Sequence, residues 1–251
     1  MIKCVNLTKK YNTKVAVDNL SLDIGTGLIY GFLGTNGAGK TTTIKMLTGQ
    51  LPITSGEAEI AGMNVMRNPV EVKRQIGIVP DEPKIYPFFT GNEFIQFILD
   101  LFKMNNSVTR KDFNELCEAF DIDFLNVPIS DMSHGMRQKL MVTSVLMRKP
   151  RIIFLDEPTV GLDARSSRII KDLLKKRAHE GATIFLTTHV LEIAEKMCDR
   201  IGILHNGVLL TEGTMEELRE KRNMDDSTSL EDLFLALTDQ AEDVQNIVNA
   251  L

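Results

Sequence analysis

Apolar and polar positions divide this chain into stretches of strand-like and helix-like period. Ile2 to Leu7 and Val15 to Ile24 alternate, which predicts two strands with one buried face, paired antiparallel beside the core. Leu28 to Leu33 is apolar throughout, the pattern of a strand buried on both faces in a parallel sheet. Glu57 to Ala61 reads as a short strand between turn signals, and Ile76 to Val79 as a buried strand closed by Pro80. The period then becomes helical. Thr90-Gly91-Asn92-Glu93 has the form of a capping box, followed by Phe94, Phe97, Ile98 and Leu101, and a second helix is expected from Thr109 to Phe120.

Strand patterns return at Ile152 to Leu155 and Thr183 to Thr188, separated by a helix over 165–180 that buries Ile169, Ile170, Leu173 and Leu174. Ile201 to Leu204 and Val208 to Thr211 flank an Asn206-Gly207 turn, the signal of a hairpin. Thr214 and Ser229 open two more helices across a polar linker, Glu220 to Thr228. Val244, Ile247, Val248 and Leu251 fall on one helical stripe that needs a surface to pack against, in this subunit or a partner. The expected fold is α/β: a core of mostly parallel sheet with helices, an N-terminal antiparallel β subdomain and an inserted α-helical subdomain. The main domain spans about 1–222, with the insertion at about 88–150, and a helical tail covers 223–251.

Composition narrows the function classes. Hydrophobic content of 43% and charged content of 25% are those of a globular protein. A net charge of −5 argues against a nucleic-acid surface. Three scattered cysteines, Cys4, Cys117 and Cys198, point to a reducing compartment and no disulfide framework. Met1 leads straight into a strand pattern, which leaves no room for a signal peptide, and no uncharged apolar run approaches the ~20 residues of a membrane span. A cytoplasmic location is expected.

Chemistry enters at Gly34-Thr35-Asn36-Gly37-Ala38-Gly39-Lys40-Thr41, which matches the phosphate-binding loop G-x-x-x-x-G-K-[ST] between a buried strand and a helix start. Its glycines let backbone N–H groups turn inward around a phosphate, beside the positive end of a helix. Lys40 then reaches the β- and γ-phosphates, and the Thr41 hydroxyl takes Mg²⁺. Ile152 to Leu155 delivers Asp156 and Glu157 to a carboxyl strand end, where ligands collect in open parallel sheets. There Asp156 suits a Mg²⁺ site and Glu157 suits a base that polarises water. Thr183 to Thr188 delivers His189 to the same edge. Read alone, Tyr11 is a loop residue, Ser133 a helix N-cap, and Asp81 part of an exposed acidic loop.

Taken in order, these motifs resemble the ATP-binding subunit of an ABC transporter, over residues 1 to about 238. The resemblance implies that Tyr11 stacks on adenine, that Gly34 to Thr42 hold the phosphates, and that Asp156 and Glu157 are the magnesium aspartate and catalytic glutamate. It likewise implies that His189 contacts the γ-phosphate and that Gly161-Leu162-Asp163 crosses a dimer interface. Ser133 and Gly135 match a signature loop that serves ATP bound by the opposite subunit, so two copies or a close paralogue would sandwich two ATPs. Only these two residues survive of the common Leu-Ser-Gly-Gly-Gln. The Gly-Met-Arg-Gln form that follows is similar to a variant in drug, antibiotic and peptide exporters, and Ser229 to Thr238 resembles the tail of such members. Asp81 stands where the family has a glutamine that senses Mg²⁺ and touches the membrane-spanning partner. The expectation is an ATPase with ATP and Mg²⁺ as ligands, peripheral on the inner face of the plasma membrane, powering a separate membrane subunit.

Two rivals remain on the sequence alone. A soluble ATPase of the same type acting on DNA or ribosomes usually carries paired cassettes or a long coiled-coil insertion, and neither is present. A GTPase or small-molecule kinase would leave Ser133 to Gln138 unexplained, and no Asn-Lys-x-Asp guanine motif occurs.

Overall fold

The computed structural model describes residues 1–222, 224–225 and 227–238. Along the chain lie β1 (Ile2–Tyr11), β2 (Lys14–Ile24), β3 (Ile29–Leu33), α1 (Lys40–Leu47), β4 (Ser55–Ile60) and β5 (Met63–Asn64). Then come α2 (Pro69–Gln75), β6 (Ile76–Val79), α3 (Gly91–Leu101), α4 (Ser107–Ala119), α5 (His134–Leu146), β7 (Ile152–Asp156) and α6 (Ala164–His179). β8 (Thr183–Thr187), α7 (Leu191–Met197), β9 (Arg200–His205), β10 (Val208–Gly213), α8 (Met215–Lys221) and α9 (Leu230–Leu237) follow.

Two sheets form. The smaller is antiparallel, in the order β2-β1-β4-β5. The larger has the order β10-β9-β3-β8-β7-β6 and is parallel except for β10, which pairs antiparallel with β9. Strand β3 is buried at every position because apolar layers cover both of its faces. Tyr30 and Phe32 point into a cluster shared with Ile2, Leu7, Leu20, Ile44, Met46, Phe154 and Phe185, against the antiparallel sheet and α1. Ile29 points the other way, into a cluster with Val142, Leu146, Ile170 and Leu174 from α5 and α6. The period of two therefore places alternate side chains in two separate cores. Burying each large side chain is worth about 1.5–3 kcal/mol, so the central strands anchor the fold.

The inserted helical region has its own core, with Phe94, Ile95 and Leu99 of α3 packed on Ile129, Met132 and Leu140. Its entry is pinned by the capping box at Thr90, whose hydroxyl accepts from Glu93 N at 3.2 Å while the Glu93 carboxylate accepts from Thr90 N at 2.8 Å. At the β9–β10 turn, Asn206 and Gly207 both take positive φ (48° and 84°), as the hairpin signal requires.

Four details differ from or add to the sequence reading. β1 runs on to Tyr11, which pairs with Lys14, so Tyr11 ends a strand instead of lying in an irregular connection; the turn is only Asn12-Thr13. The short strand β4 joins the antiparallel sheet. Helices α2 and α7 add to the expected elements; at seven residues each they are too short to display a helical period. Helix α9, expected as the start of a tail after residue 222, shares a core with Leu33, Ala194, Ile201, Ile203 and Leu218. The stripe of Val244, Ile247, Val248 and Leu251 lies outside the described residues.

Candidate functional site

Four neighbouring strands, β3, β8, β7 and β6, end at one edge of the larger sheet. Each empties into a segment singled out by its chemistry: β3 into Gly34–Lys40, β8 into Thr188-His189, β7 into Asp156-Glu157, and β6 into Asp81. Gly34, Thr35, Asn36, Asp81, Glu157 and His189 line a single cavity of about 480 Å³, together with Val160, Thr188, Leu191 and Phe234.

The loop is shaped by close backbone packing. A Cβ on Gly34 would lie 2.3 Å from the carbonyl oxygen of Leu204, and Gly39, at φ 111°, would place one 2.5 Å from that of Ala16. Gly207 N donates to Ala38 O at 2.9 Å, so the β9–β10 turn buttresses the loop from behind. Helix α1 starts directly at Lys40 with no side-chain cap, since Gly39 has none to offer. Such a helix start, with its partial positive charge, is suited to an anion. Gly37 is exposed with nothing within 4 Å of a would-be Cβ, Ala38 is buried, and Thr42 is half-buried behind the loop.

Lys40 is buried, and its Nζ donates to the carbonyls of Gly34 at 2.7 Å and Thr35 at 3.2 Å. Burial pushes its pKa down, opposed by the charges of Glu157 and Asp156. Thr41 Oγ1 donates to Asp156 Oδ2 at 2.7 Å, and Thr187 Oγ1 donates to Asp156 Oδ1. Both carboxylate oxygens of this buried side chain are thus held. Glu157 sits at φ 50°, a left-handed backbone that a glutamate adopts only when its surroundings impose it. Its N–H donates to Thr187 O at 3.1 Å, and its Oε1 lies 2.9 Å from His189 Nδ1. Asp81 reaches the cavity wall while its neighbour Glu82 does not.

Two groups of expected site residues stand apart from this wall. Ser133 caps α5, its hydroxyl accepting from Met136 N at 3.2 Å, and Gly135 packs on the loop after Glu157: a Cβ there would lie 2.7 Å from Gly161 O. Gln138 Nε2 donates to Pro158 O at 3.3 Å in the same seam. Asp163, from that loop, caps α6. The Ser166 N–H and hydroxyl and the Lys139 ammonium hold its carboxyl well below the usual carboxylate range. Tyr11 is exposed at the tip of the β1–β2 hairpin, with Lys9 Nζ 5.1 Å above its ring centroid.

Sequence reasoning missed Thr187, which fixes Asp156, and Phe234, which reaches the cavity from α9. The hydroxyl pair Thr187-Thr188 at the end of an apolar strand was a legible signal for the first. Nothing local marks the second.

Comparison with known proteins agrees with the geometry. The ABC transporter family model matches residues 17–160. The bacitracin transport ATP-binding protein BcrA of Bacillus licheniformis is 37% identical over 89% of this chain and 72% of its own length. The ABC transporter ATP-binding protein NatA of Bacillus subtilis is 32% identical over 90% of this chain and 94% of its own length. A solved ATP-binding subunit of an ABC transporter superposes with a TM-score of 0.90 at 27% identity, over 94% of this chain and 99% of that one. A dimeric ATP-binding cassette, MJ0796, in a post-hydrolysis state bound to ADP and Pi superposes at 0.78 with 27% identity, over 86% and 99%. With a family match over more than half its length and the cassette fold around this cavity, the chain belongs to the ABC transporter family, as an ATP-binding subunit with ATPase activity.

Proposed function

We propose that this subunit hydrolyses ATP in the cavity at the ends of β3, β8, β7 and β6 to drive a separate membrane-spanning partner, in the direction of export. The observation that carries the site assignment is the meeting of Gly34–Asn36, Glu157 and His189 on one wall, with Lys40 and Asp156 buried behind it. The loop amides and Lys40 hold the triphosphate, and Tyr11 offers the exposed face of its ring to adenine. Glu157 takes a hydrogen bond from the attacking water and polarises it, while His189 steadies that carboxylate and faces the γ-phosphate. Catalysis is then positioning and electrostatics, with little covalent work for the protein.

Mg²⁺ fits the donor set. Thr41 Oγ1 and Asp156 Oδ2 already lie side by side, and the described residues hold no cluster of three or more His, Cys, Asp or Glu that would cage an ion alone. Few protein oxygens, completed by phosphates and water, is the usual Mg²⁺ arrangement. When bound, the ion would supply charge neutralisation to the triphosphate. Asp81 stands on the wall where its carboxylate would approach that ion, directly or through water.

Ser133 and Gly135 lie off the chain's own cavity, which favours their service to ATP held by a second copy or a paralogue in a sandwich dimer. The dimeric cassette structures support the same arrangement. No helix among the described residues is long and apolar enough to cross a membrane, and in this reading the spanning part is the partner's, with this subunit peripheral on the inner face of the plasma membrane. Relatives named for bacitracin transport and for linearmycin resistance favour export.

The test is Glu157→Gln with ATP and Mg²⁺. Hydrolysis should slow by about 10²- to 10⁴-fold, because the carboxamide keeps the shape and loses the charge. ATP should then trap a dimer in size-exclusion chromatography. A variant that binds ATP yet stays monomeric, where the wild type dimerises, would count against the sandwich.

A further inference from the structure

We propose that Phe234 of α9 is a positioning residue of the ATPase site: it walls the cavity beside His189 and Leu191 and holds the turn that aims His189 at Glu157. The inference rests on the role of His189 given above.

Helix α7 begins two residues after His189, has no side-chain N-cap and spans only seven residues. A helix that short has no stability of its own, so packing sets its orientation. Its buried Ala194 belongs to the cluster of Leu33, Leu230, Leu233 and Phe234, and Leu191 packs against that cluster. Glu195 of α7 also accepts from Leu230 N, at the start of α9, at 3.4 Å, and from Arg219 Nη2 of α8 at 3.3 Å.

Among the described residues of α9, only Phe234 also lines the cavity. It therefore touches both things that matter: the packing that orients α7 and the space that receives the phosphates. Removing its ring loosens the support of Leu191, and with it the turn Thr188–Val190 that carries His189. The 2.9 Å contact of His189 Nδ1 with Glu157 Oε1 depends on that turn. A displacement of about 1 Å of a reacting group is enough to lower a rate by about a hundredfold. Leu237 provides the matched control: it is 8% exposed, as Phe234 is, lies one turn further along α9 in the same cluster, and does not reach the cavity.

The experiment is a double-mutant cycle on the full-length chain, with ATPase kinetics and thermal melts for each variant. Phe234→Ala should lower kcat about ten- to a hundredfold and leave the KM for ATP within about twofold, and Phe234→Leu should retain most of kcat. Leu237→Ala should lose comparable thermal stability and keep kcat. In a His189→Ala background, Phe234→Ala should bring no further loss in the residual rate, because the group it positions is gone. Additive losses, or an equal fall in kcat for Leu237→Ala, overturn the proposal. If His189→Ala itself turns over normally, the reading of His189 fails and this inference with it. If His189→Ala is slow but Phe234→Ala is not, only this inference fails. Should Phe234→Ala not be recovered folded, Phe234→Met takes its place in the cycle.

Discussion

His189 Nδ1 lies 2.9 Å from Glu157 Oε1, although 32 residues separate them in the chain, as 189 − 157. The contact exists because β7 and β8 are parallel neighbours, with Asp156 opposite Thr187 in register. Each strand ends at the same level and presents its next residues to the same edge. Glu157 N–H also bonds back to Thr187 O, so the glutamate is steered from both backbone and side chain by the strand that carries the histidine.

That steering has an energetic signature in the left-handed backbone of Glu157. Such a conformation costs an L-residue about 1–2 kcal/mol, whereas glycine adopts it freely but loses about 0.5–1 kcal/mol through its more flexible unfolded chain. Glu157→Gly should therefore fold with stability equal to or up to about 1.5 kcal/mol above the wild type, while losing hydrolysis. Urea denaturation beside a phosphate-release assay checks both halves. A variant destabilised by several kcal/mol would show that the backbone here is not strained.

Lys40 makes two hydrogen bonds to loop carbonyls from a buried position. Lys40→Ala removes these bonds but also lifts a desolvated charge, so stability should change by no more than about 1–2 kcal/mol. Hydrolysis should fall to background, since a phosphate cation is lost with no substitute. Circular dichroism melts and ATPase rates separate the two. Wild-type turnover by a folded Lys40→Ala protein would remove the phosphate loop from the mechanism.

Asp81 and Glu82 are adjacent carboxylates of which only the first reaches the cavity. Asp81→Ala should raise the Mg²⁺ concentration needed for half-maximal ATPase activity and lower the maximal rate, and Asp81→Gln should keep much of both. Glu82→Ala should change neither. Magnesium titrations of the three variants decide it, and the reverse pattern would place the sensor one residue later.

Tyr30 predicts how stability responds to alkali. Burial, then the charge and hydrogen bond of Glu212, raise its pKa well above 10, with Arg200 pulling the other way. Its folded pKa exceeds the unfolded one, so its contribution is complete below pH 10 and is lost as pH rises from there. The thiols of Cys4 and Cys198, pushed by burial from 9.0 up to about 12, and Cys117, up to about 11, act with the same sign from pH 9 upward. Lys40, with a lowered pKa, acts oppositely below 10.5. The urea midpoint should fall above pH 10 in the wild type and less steeply in Tyr30→Phe; parallel curves would mean that Tyr30 ionises as readily when folded.

The sequence alone determined which stretches could be strands and where phosphate chemistry could sit. An apolar run such as Leu28 to Leu33 can be satisfied only between two covering layers, and a glycine-rich loop ahead of a helix has few other uses. Capping boxes at Thr90, Thr214 and Ser229 were equally legible, because a hydroxyl and an acid three residues apart state their own geometry. Strand order was not legible. That β8 lies between β3 and β7 is settled by which apolar faces cover one another across the whole chain, and this order alone brings His189 to Glu157. The same holds for Gly34, whose tolerance of no side chain comes from Leu204 O, 170 residues away, as 204 − 34. Phe234 is the extreme case. Its local pattern announces only an amphipathic helix, and its place on the cavity wall follows from α9 packing on α7, a contact between side chains that no local period records.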